Sequence, residues 1–95
     1  MLTLLFGDAL RPQSQLPAFA ASNPSAVLRS NDEVIWFTNN AMFKIVYNKG
    51  WYNGWAYETI PGDDLEPDDA FAFIQDRVLN TVVERLALQW RNHFE

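Results

Sequence analysis

The hydrophobic and polar positions follow two different periods in the two halves of the chain. Between residues 26 and 60, Val, Ile and aromatic residues form short runs separated by glycines and by pairs such as Asn39-Asn40. Such runs are typical of β-strands, and Asn and Gly tolerate the positive φ of tight hairpin turns. We therefore predict an antiparallel meander with strands at 26–29, 33–38, 42–48 and 55–60, and a further short strand at 2–6.

In the second half, apolar residues recur every three or four positions, which is the period of an amphipathic helix. Pro67 occupies the expected first helical position, and Asp68 and Asp69 follow in the first turn. We predict one helix over 67–93 with the apolar stripe Phe71, Ile74, Val78, Val82, Leu86 and Trp90. At ~1.5 Å per residue this helix would exceed the diameter of a small domain. We therefore expect it to break near Asn80-Thr81 or to project toward a partner.

Residues 7–25 contain Pro12, Pro17 and Pro24 among Gln, Ser and Ala, a composition that predicts a long loop. The fold class predicted from these elements is α+β, with an antiparallel sheet of four or five short strands packed against one long C-terminal helix. The length is that of one domain, so we expect a single α+β domain over 1–95.

Both faces of the predicted sheet carry apolar residues. A hairpin closed by Asn39-Asn40 puts a core layer on one face, made of Val34, Trp36, Phe43 and Ile45. The opposite face carries Ile35, Phe37, Met42 and Val46, with Glu33 and Lys44 as its only polar members. Because an antiparallel sheet is usually polar on its solvent side, we expect this face to be covered by residues 7–25, a second copy or a partner. Ile35 and Phe37 are accordingly candidate partner-binding residues.

The net charge of −5 argues against a basic patch for nucleic acid or for a membrane surface. The chain has no cysteine, which excludes a disulfide framework and a thiol nucleophile. No apolar run reaches the length of a transmembrane helix. We expect a cytoplasmic protein that binds neither nucleic acid nor membrane.

Five of the twelve acidic residues form one cluster in the sequence: Asp63, Asp64, Glu66, Asp68 and Asp69. Their spacing lacks the central Gly and the closing Glu of an EF-hand loop, so we expect no metal there. A solvated loop at the start of a helix is the simplest interpretation. Alternatively, the cluster meets a basic surface of a protein partner, with Phe73 on the polar side of the predicted helix as an aromatic anchor.

Residues 51–55 offer a different kind of site. Trp51, Tyr52 and Trp55 stand among Gly and Asn residues that predict a turn. Exposed rings in a loop stack on sugar or base faces, whereas rings that fold back become part of the core. Both interpretations stay open.

The catalytic inventory is small. His93 is the only histidine, and no serine has a neighbouring base or a glycine elbow. No phosphate-binding glycine loop or dinucleotide fingerprint is present. We therefore expect no catalytic residues, metal or cofactor.

The function that we expect is that of a non-enzymatic protein-binding module. Small acidic inhibitors and immunity-type proteins of phages and bacterial conflict systems provide the analogy. The alternatives are a small-ligand or carbohydrate binder that uses the aromatic loop 51–55, and a structural subunit that assembles through its apolar sheet face. Because this sheet face is apolar, we expect the protein to form either a homodimer or a complex with another protein.

Overall fold

The computed structural model describes residues 14–59 and 70–95. Within these ranges the elements are α1 (Leu16–Ser22), β1 (Val27–Ser30), β2 (Glu33–Phe37), β3 (Ala41–Asn48), β4 (Trp51–Glu58), β5 (Ala70–Asp76) and α2 (Leu79–Phe94). The five strands form one antiparallel sheet in the order β1-β2-β3-β4-β5. The predicted α+β class, a five-stranded antiparallel sheet with a C-terminal helix, is confirmed. The predicted strand at 2–6 lies outside the described residues.

The hairpin between β3 and β4 is closed by Lys49 and Gly50, whose φ angles are 51° and 85°. Two consecutive positive φ angles are the signature of a two-residue hairpin turn whose twist matches the strands. The register then runs without a shift from the pair Asn48 and Trp51 to the pair Ala41 and Glu58. Strand β4 therefore begins at residue 51, and the turn predicted within residues 51–55 is wrong.

The prediction of a helix over 67–93 is wrong across residues 70–76, which form strand β5. This strand pairs with β4 and places Ile74 opposite Gly54 and Ala72 opposite Ala56, on the core face. The chain then turns, and Asp76 Oδ1 accepts a hydrogen bond from the Val78 N–H at 2.8 Å. Helix α2 begins only at Leu79, and its 16 residues extend about 24 Å at ~1.5 Å per residue. The expected break near 80–81 and the expected overshoot do not occur.

The predicted loop over 7–25 is also corrected, because Leu16–Ser22 form helix α1. Pro17 lies in the first turn of this helix, where its missing N–H group costs no hydrogen bond. Leu16 is fully buried, and the ring of Phe19 lies 5.3 Å from that of Trp36. Contacts with the sheet therefore stabilise a segment whose proline content predicts a loop.

Both helices lie on the same face of the sheet. Helix α1 contacts β1 and β2, and α2 contacts β4 and β5. The predicted core layer is confirmed, with Val34, Phe43 and Ile45 buried and Trp36 packed against them. The core is completed from the helices and β4 by Leu16, Tyr52, Ala56, Leu79, Val82 and Leu86.

Gly54 marks the closest approach between α2 and the sheet. A Cβ atom built at this position would lie 2.6 Å from Val82 Cγ1 and 2.8 Å from Leu86 Cδ1. These separations are well below the normal van der Waals contact of about 3.5–4.0 Å between carbon atoms. The absence of a side chain at residue 54 thus allows the helix to pack directly on β4.

A side-chain hydrogen bond connects the C-terminal half of α2 to the β2–β3 hairpin. Trp90 Nε1 donates to Asn40 Oδ1 at 2.7 Å, and the Trp90 ring packs edge-on against Phe43. Asn40 Oδ1 also accepts from Thr38 Oγ1 within the turn. One amide side chain therefore organises the turn and the helix contact together.

We expect Asn40→Ala to lower the free energy of unfolding by about 1–3 kcal/mol, because the partly buried indole N–H loses its acceptor. Urea denaturation measures this loss. In a Trp90→Phe background the donor is absent, so the same substitution should cost clearly less. Equal costs in the two backgrounds would contradict a stabilising role for this hydrogen bond.

Candidate functional site

The face of the sheet opposite the helices, which we call the outer face, carries a row of side chains across all five strands. The register pairs Val27 with Ile35, Ile35 with Lys44, Lys44 with Trp55, and Trp55 with Phe73. Residues paired directly across neighbouring strands point to the same side of a sheet. We call these five residues the central row.

A second row of mostly apolar side chains lies beside the central row, at the end of the sheet where β2 turns into β3. Phe37 pairs with Met42, Met42 with Tyr57, and Tyr57 with Ala70. Phe37 is exposed, Met42 and Ala70 are partly buried, and Tyr57 is buried. We call these four residues the apolar row. The two rows lie side by side on the outer face.

The opposite side of the central row is bounded by polar groups. Gln75 Nε2 donates to Asn53 Oδ1 at 2.7 Å, and Asn53 Nδ2 donates to the carbonyl of Val46. Arg29 and Glu33 form an ion pair of 4.0 Å at the same end of β1 and β2. A polar boundary around an apolar centre is the usual anatomy of a protein–protein interface.

Three large apolar side chains of the outer face remain about half exposed: Val27 at 54%, Phe37 at 53% and Phe73 at 52%. Val27 and Phe73 end the central row, and Phe37 begins the apolar row. Isolated exposed hydrophobic residues are common on protein surfaces, but here three of them share one sheet face and are joined by the partly exposed Ile35, Met42 and Trp55. The outer face is therefore the candidate functional site.

The centre of this face contains a cation packed on an aromatic ring. Lys44 Nζ lies 5.0 Å from the centroid of the Trp55 ring, within the range of a cation–π interaction. On its other side, the Trp55 ring contacts Phe73, with centroids 5.2 Å apart and planes inclined by 46°. In the part of the chain that the structure describes, Lys44 forms no ion pair.

The structure brings three of the sequence-predicted partner-binding residues onto this one face. Ile35 and Phe37 lie on the outer side of β2, as the strand alternation predicts. Phe73 also lies there, but it belongs to β5 and not to the predicted helix. The acids Asp63, Asp64, Glu66, Asp68 and Asp69 lie outside the described residues.

Sequence reasoning places Lys44 on this face only as one of its polar members, assigns Trp55 to a different site, and does not place Val27 at all. The residue pattern places Trp55 in or beside a turn, and the central row requires the register of β1 and β4. The pairing between strands determines which residues share the central row, and the spacing of apolar residues along one strand does not. The signal that could find these residues is the Lys49-Gly50 turn, which sets the register of the β3–β4 hairpin.

The three aromatic residues of the alternative ligand site do not converge. Tyr52 points into the core, whereas Trp51 and Trp55 lie on the other face of β4 with Asn53 between them. The guanidinium of Arg77 lies 4.4 Å from the Trp51 ring centroid. The expected aromatic loop is a strand, and its rings alternate between two faces of the sheet.

The hydroxyl of Tyr52 has a structural role in the core. Its oxygen accepts a hydrogen bond of 2.8 Å from the backbone N–H of Gln15, which joins β4 to the start of α1. Burial raises the pKa of Tyr52 above its usual value of 10.0, and this effect outweighs the Gln15 hydrogen bond, which lowers the pKa. The neutral phenol therefore persists in the folded protein at physiological pH.

His93, the only histidine, contacts the sheet at the C-terminal end of α2. Its ring stacks on Phe71 with centroids 4.0 Å apart, and its Nε2 atom lies 3.5 Å from Glu58 Oε1. These contacts connect the end of α2 to β4 and β5, which indicates a structural role.

A cleft of about 420 Å³ lies between α1 and α2 on the helical side. Phe19, Leu79 and Val83 provide its apolar wall, and the described residues that line it carry no charge.

Within residues 14–59 and 70–95, no three His, Cys, Asp or Glu side chains are placed to hold a metal ion. No helix in those ranges is long and apolar enough to cross a membrane.

Comparisons with protein-family models, with curated proteins and with solved structures find no match to this chain. The function is therefore inferred from the chemistry and geometry of the outer face.

Proposed function

We propose that this protein is a non-enzymatic protein-binding module that docks a partner protein on its outer face. The observation that carries the proposal is the exposure of Val27, Phe37 and Phe73 on one face of the sheet. Aromatic side chains at the centre of an interface supply much of its binding energy. Trp55 and Phe73, already in contact with each other, are the anchors of this surface.

The acidic cluster supplies the second part of the proposal. Its residues belong to the segment that connects β4, which ends at Glu58, to β5, which begins at Ala70. We propose that this segment meets basic side chains on the partner while the outer face provides the apolar contact. An inhibitor or immunity-type protein, which covers a basic functional surface of its target, would act in this way; that class is taken from analogy of size and charge.

Affinity capture from extracts of the source organism, followed by reconstitution with the purified partner, tests the use of the outer face. We expect Phe37→Ala combined with Phe73→Ala to abolish retention of the partner. The matched control is Val78→Ala combined with Leu88→Ala, because these side chains are 55% and 49% exposed but lie on the helical side. Binding that survives the first pair and is lost with the second would place the interface on the helices and overturn the proposal.

Neutralising the acidic cluster should slow association with the reconstituted partner. The variant carries Asn at residues 63, 64, 68 and 69 and Gln at residue 66. We expect association about tenfold slower at low salt and little changed at high salt, because salt screens charges beyond about 8 Å at physiological ionic strength. Phe73→Ala should instead speed dissociation, since loss of an anchor acts after the complex has formed.

Surface plasmon resonance at two salt concentrations separates these two effects. Asp32→Asn with Glu84→Gln is the control, because both carboxylates are exposed and lie in other parts of the chain. An unchanged association rate at low salt in the five-site variant would show that the cluster does not steer the partner.

A further inference from the structure

Lys44 occupies the middle of the outer face. It lies on β3, the third of the five strands, and is the third member of the central row. Its direct neighbours across the sheet, Ile35 and Trp55, are apolar, and the nearest carboxylate on this face, Glu33 one register pair away, is paired with Arg29. A lone cation at the centre of an apolar surface has direct consequences for what that surface can bind.

A second copy of the chain is a poor occupant of this face. A two-fold symmetric dimer uses the same patch on both subunits, and packing two outer faces centre to centre brings one Lys44 against the other. The two ammonium groups would lose water and repel each other, and neither has an anion beside it among the described residues.

We infer that the outer face is built for a different protein, one that presents an Asp or Glu carboxylate at the centre of an otherwise apolar surface. The carboxylate accepts a hydrogen bond from Lys44 Nζ, while the surrounding apolar groups cover Ile35, Trp55 and Phe73. The cation–π contact with Trp55 keeps the ammonium group at this position before the partner arrives. This inference rests on the proposed protein-binding function and adds the chemistry of the partner.

The chain alone provides the first arm of the test. We expect sedimentation velocity to show a monomer for the wild-type protein across a wide concentration range. Lys44→Met removes the charge and keeps an apolar stem of similar length, so this variant should self-associate, and Phe73→Ser added to it should restore the monomer. A wild-type dimer that Phe37→Ala with Phe73→Ala dissociates would overturn the inference, as would a Lys44→Met variant that stays monomeric.

Binding of the reconstituted partner provides the second arm. We expect Lys44→Arg to bind about as tightly as the wild-type protein, because the positive charge is retained. Lys44→Met should weaken binding about thirtyfold or more, since it leaves the partner's carboxylate buried without a counter-charge. Lys44→Glu should weaken binding further. Replacing the partner's Asp or Glu with Lys should then restore binding to the Lys44→Glu variant and to no other form of this protein.

The two arms distinguish failure of the inference from failure of the proposed function. If Phe37→Ala with Phe73→Ala abolishes binding and Lys44→Met does not weaken it, the outer face binds a partner without the carboxylate. If neither change affects binding, the outer face is not the interface, and both proposals fail. Restoration by the charge exchange supports the inference, because a general loss of stability would not be rescued by a change in the partner.

Discussion

Val82→Asp is expected to destabilise the protein by about 3 kcal/mol or more, because a carboxylate at this position enters the core without a partner. Val82 is fully buried, and its Cγ1 atom faces Gly54 of β4. No charged side chain is buried among the described residues, so the core holds no counter-charge for the new carboxylate. Thermal and urea denaturation should both show the loss, which is a large fraction of the stability of a typical domain.

Leu88→Asp is the matched control on the same helix. Leu88 is about half exposed on the solvent side of α2, so the same type of substitution there should change stability by less than about 0.5 kcal/mol. The comparison separates burial from helix propensity, since both variants place Asp inside α2. Equal melting temperatures for Val82→Asp and the wild-type protein would show that α2 does not pack on the sheet as described.

The hairpin of β2 and β3 can be predicted from the sequence, because its turn and its strand alternation are local features of the chain. Strands β2 and β3 flank the Asn39-Asn40 turn, and their alternation places Val34 and Ile45 on the buried side. One hairpin with a clear turn leaves one register that buries its apolar residues. That is why the residue pattern alone is enough to assign Ile35 and Phe37 to the outer face.

Strand β5 could not be predicted in the same way because its sequence satisfies two periods. Phe71 and Ile74 continue the helical stripe of α2 backward, whereas Ala72 and Ile74 fit the alternation of a strand and both face the core. Pairing with β4 decides between the two, and that pairing is a long-range contact that a local pattern does not contain. The predicted helix over these residues takes Phe73 out of the sheet. The contact between Phe73 and Trp55 therefore could not be predicted from the sequence.

Helix α1 illustrates a second limit of local reasoning. A helix of seven residues is too short to form alone in water, and its sequence contains a proline. The burial of Leu16 and the contact of Phe19 with Trp36 stabilise it in the folded protein. Because α1 lies on the core face, the described part of residues 7–25 does not cover Ile35 or Phe37.

Gly54→Ala is the second substitution with a large expected effect, and its sign is opposite to that of most Gly to Ala changes in regular structure. At an open strand position, alanine would stabilise by reducing the entropy of the unfolded chain. At Gly54, however, the new Cβ would lie 2.6 Å from Val82 Cγ1, and valine in a helix has few alternative rotamers. The helix must move away from β4, so we expect a loss of about 1–3 kcal/mol in urea denaturation.

A double-mutant cycle with Val82→Ala identifies the cause of that loss. Val82→Ala alone should destabilise by leaving a cavity, but it also removes the methyl group that the new Cβ would strike. Because the added and the removed carbon compete for the same space, the double variant should be more stable than the sum of the single losses by about 1 kcal/mol or more. Leu86 Cδ1 is the other close atom, at 2.8 Å, and it ends a more flexible side chain, so a cycle with Leu86→Ala should show a smaller coupling. Strictly additive losses in the cycle with Val82→Ala would mean that Gly54 is required for its backbone and not for the space it leaves to α2.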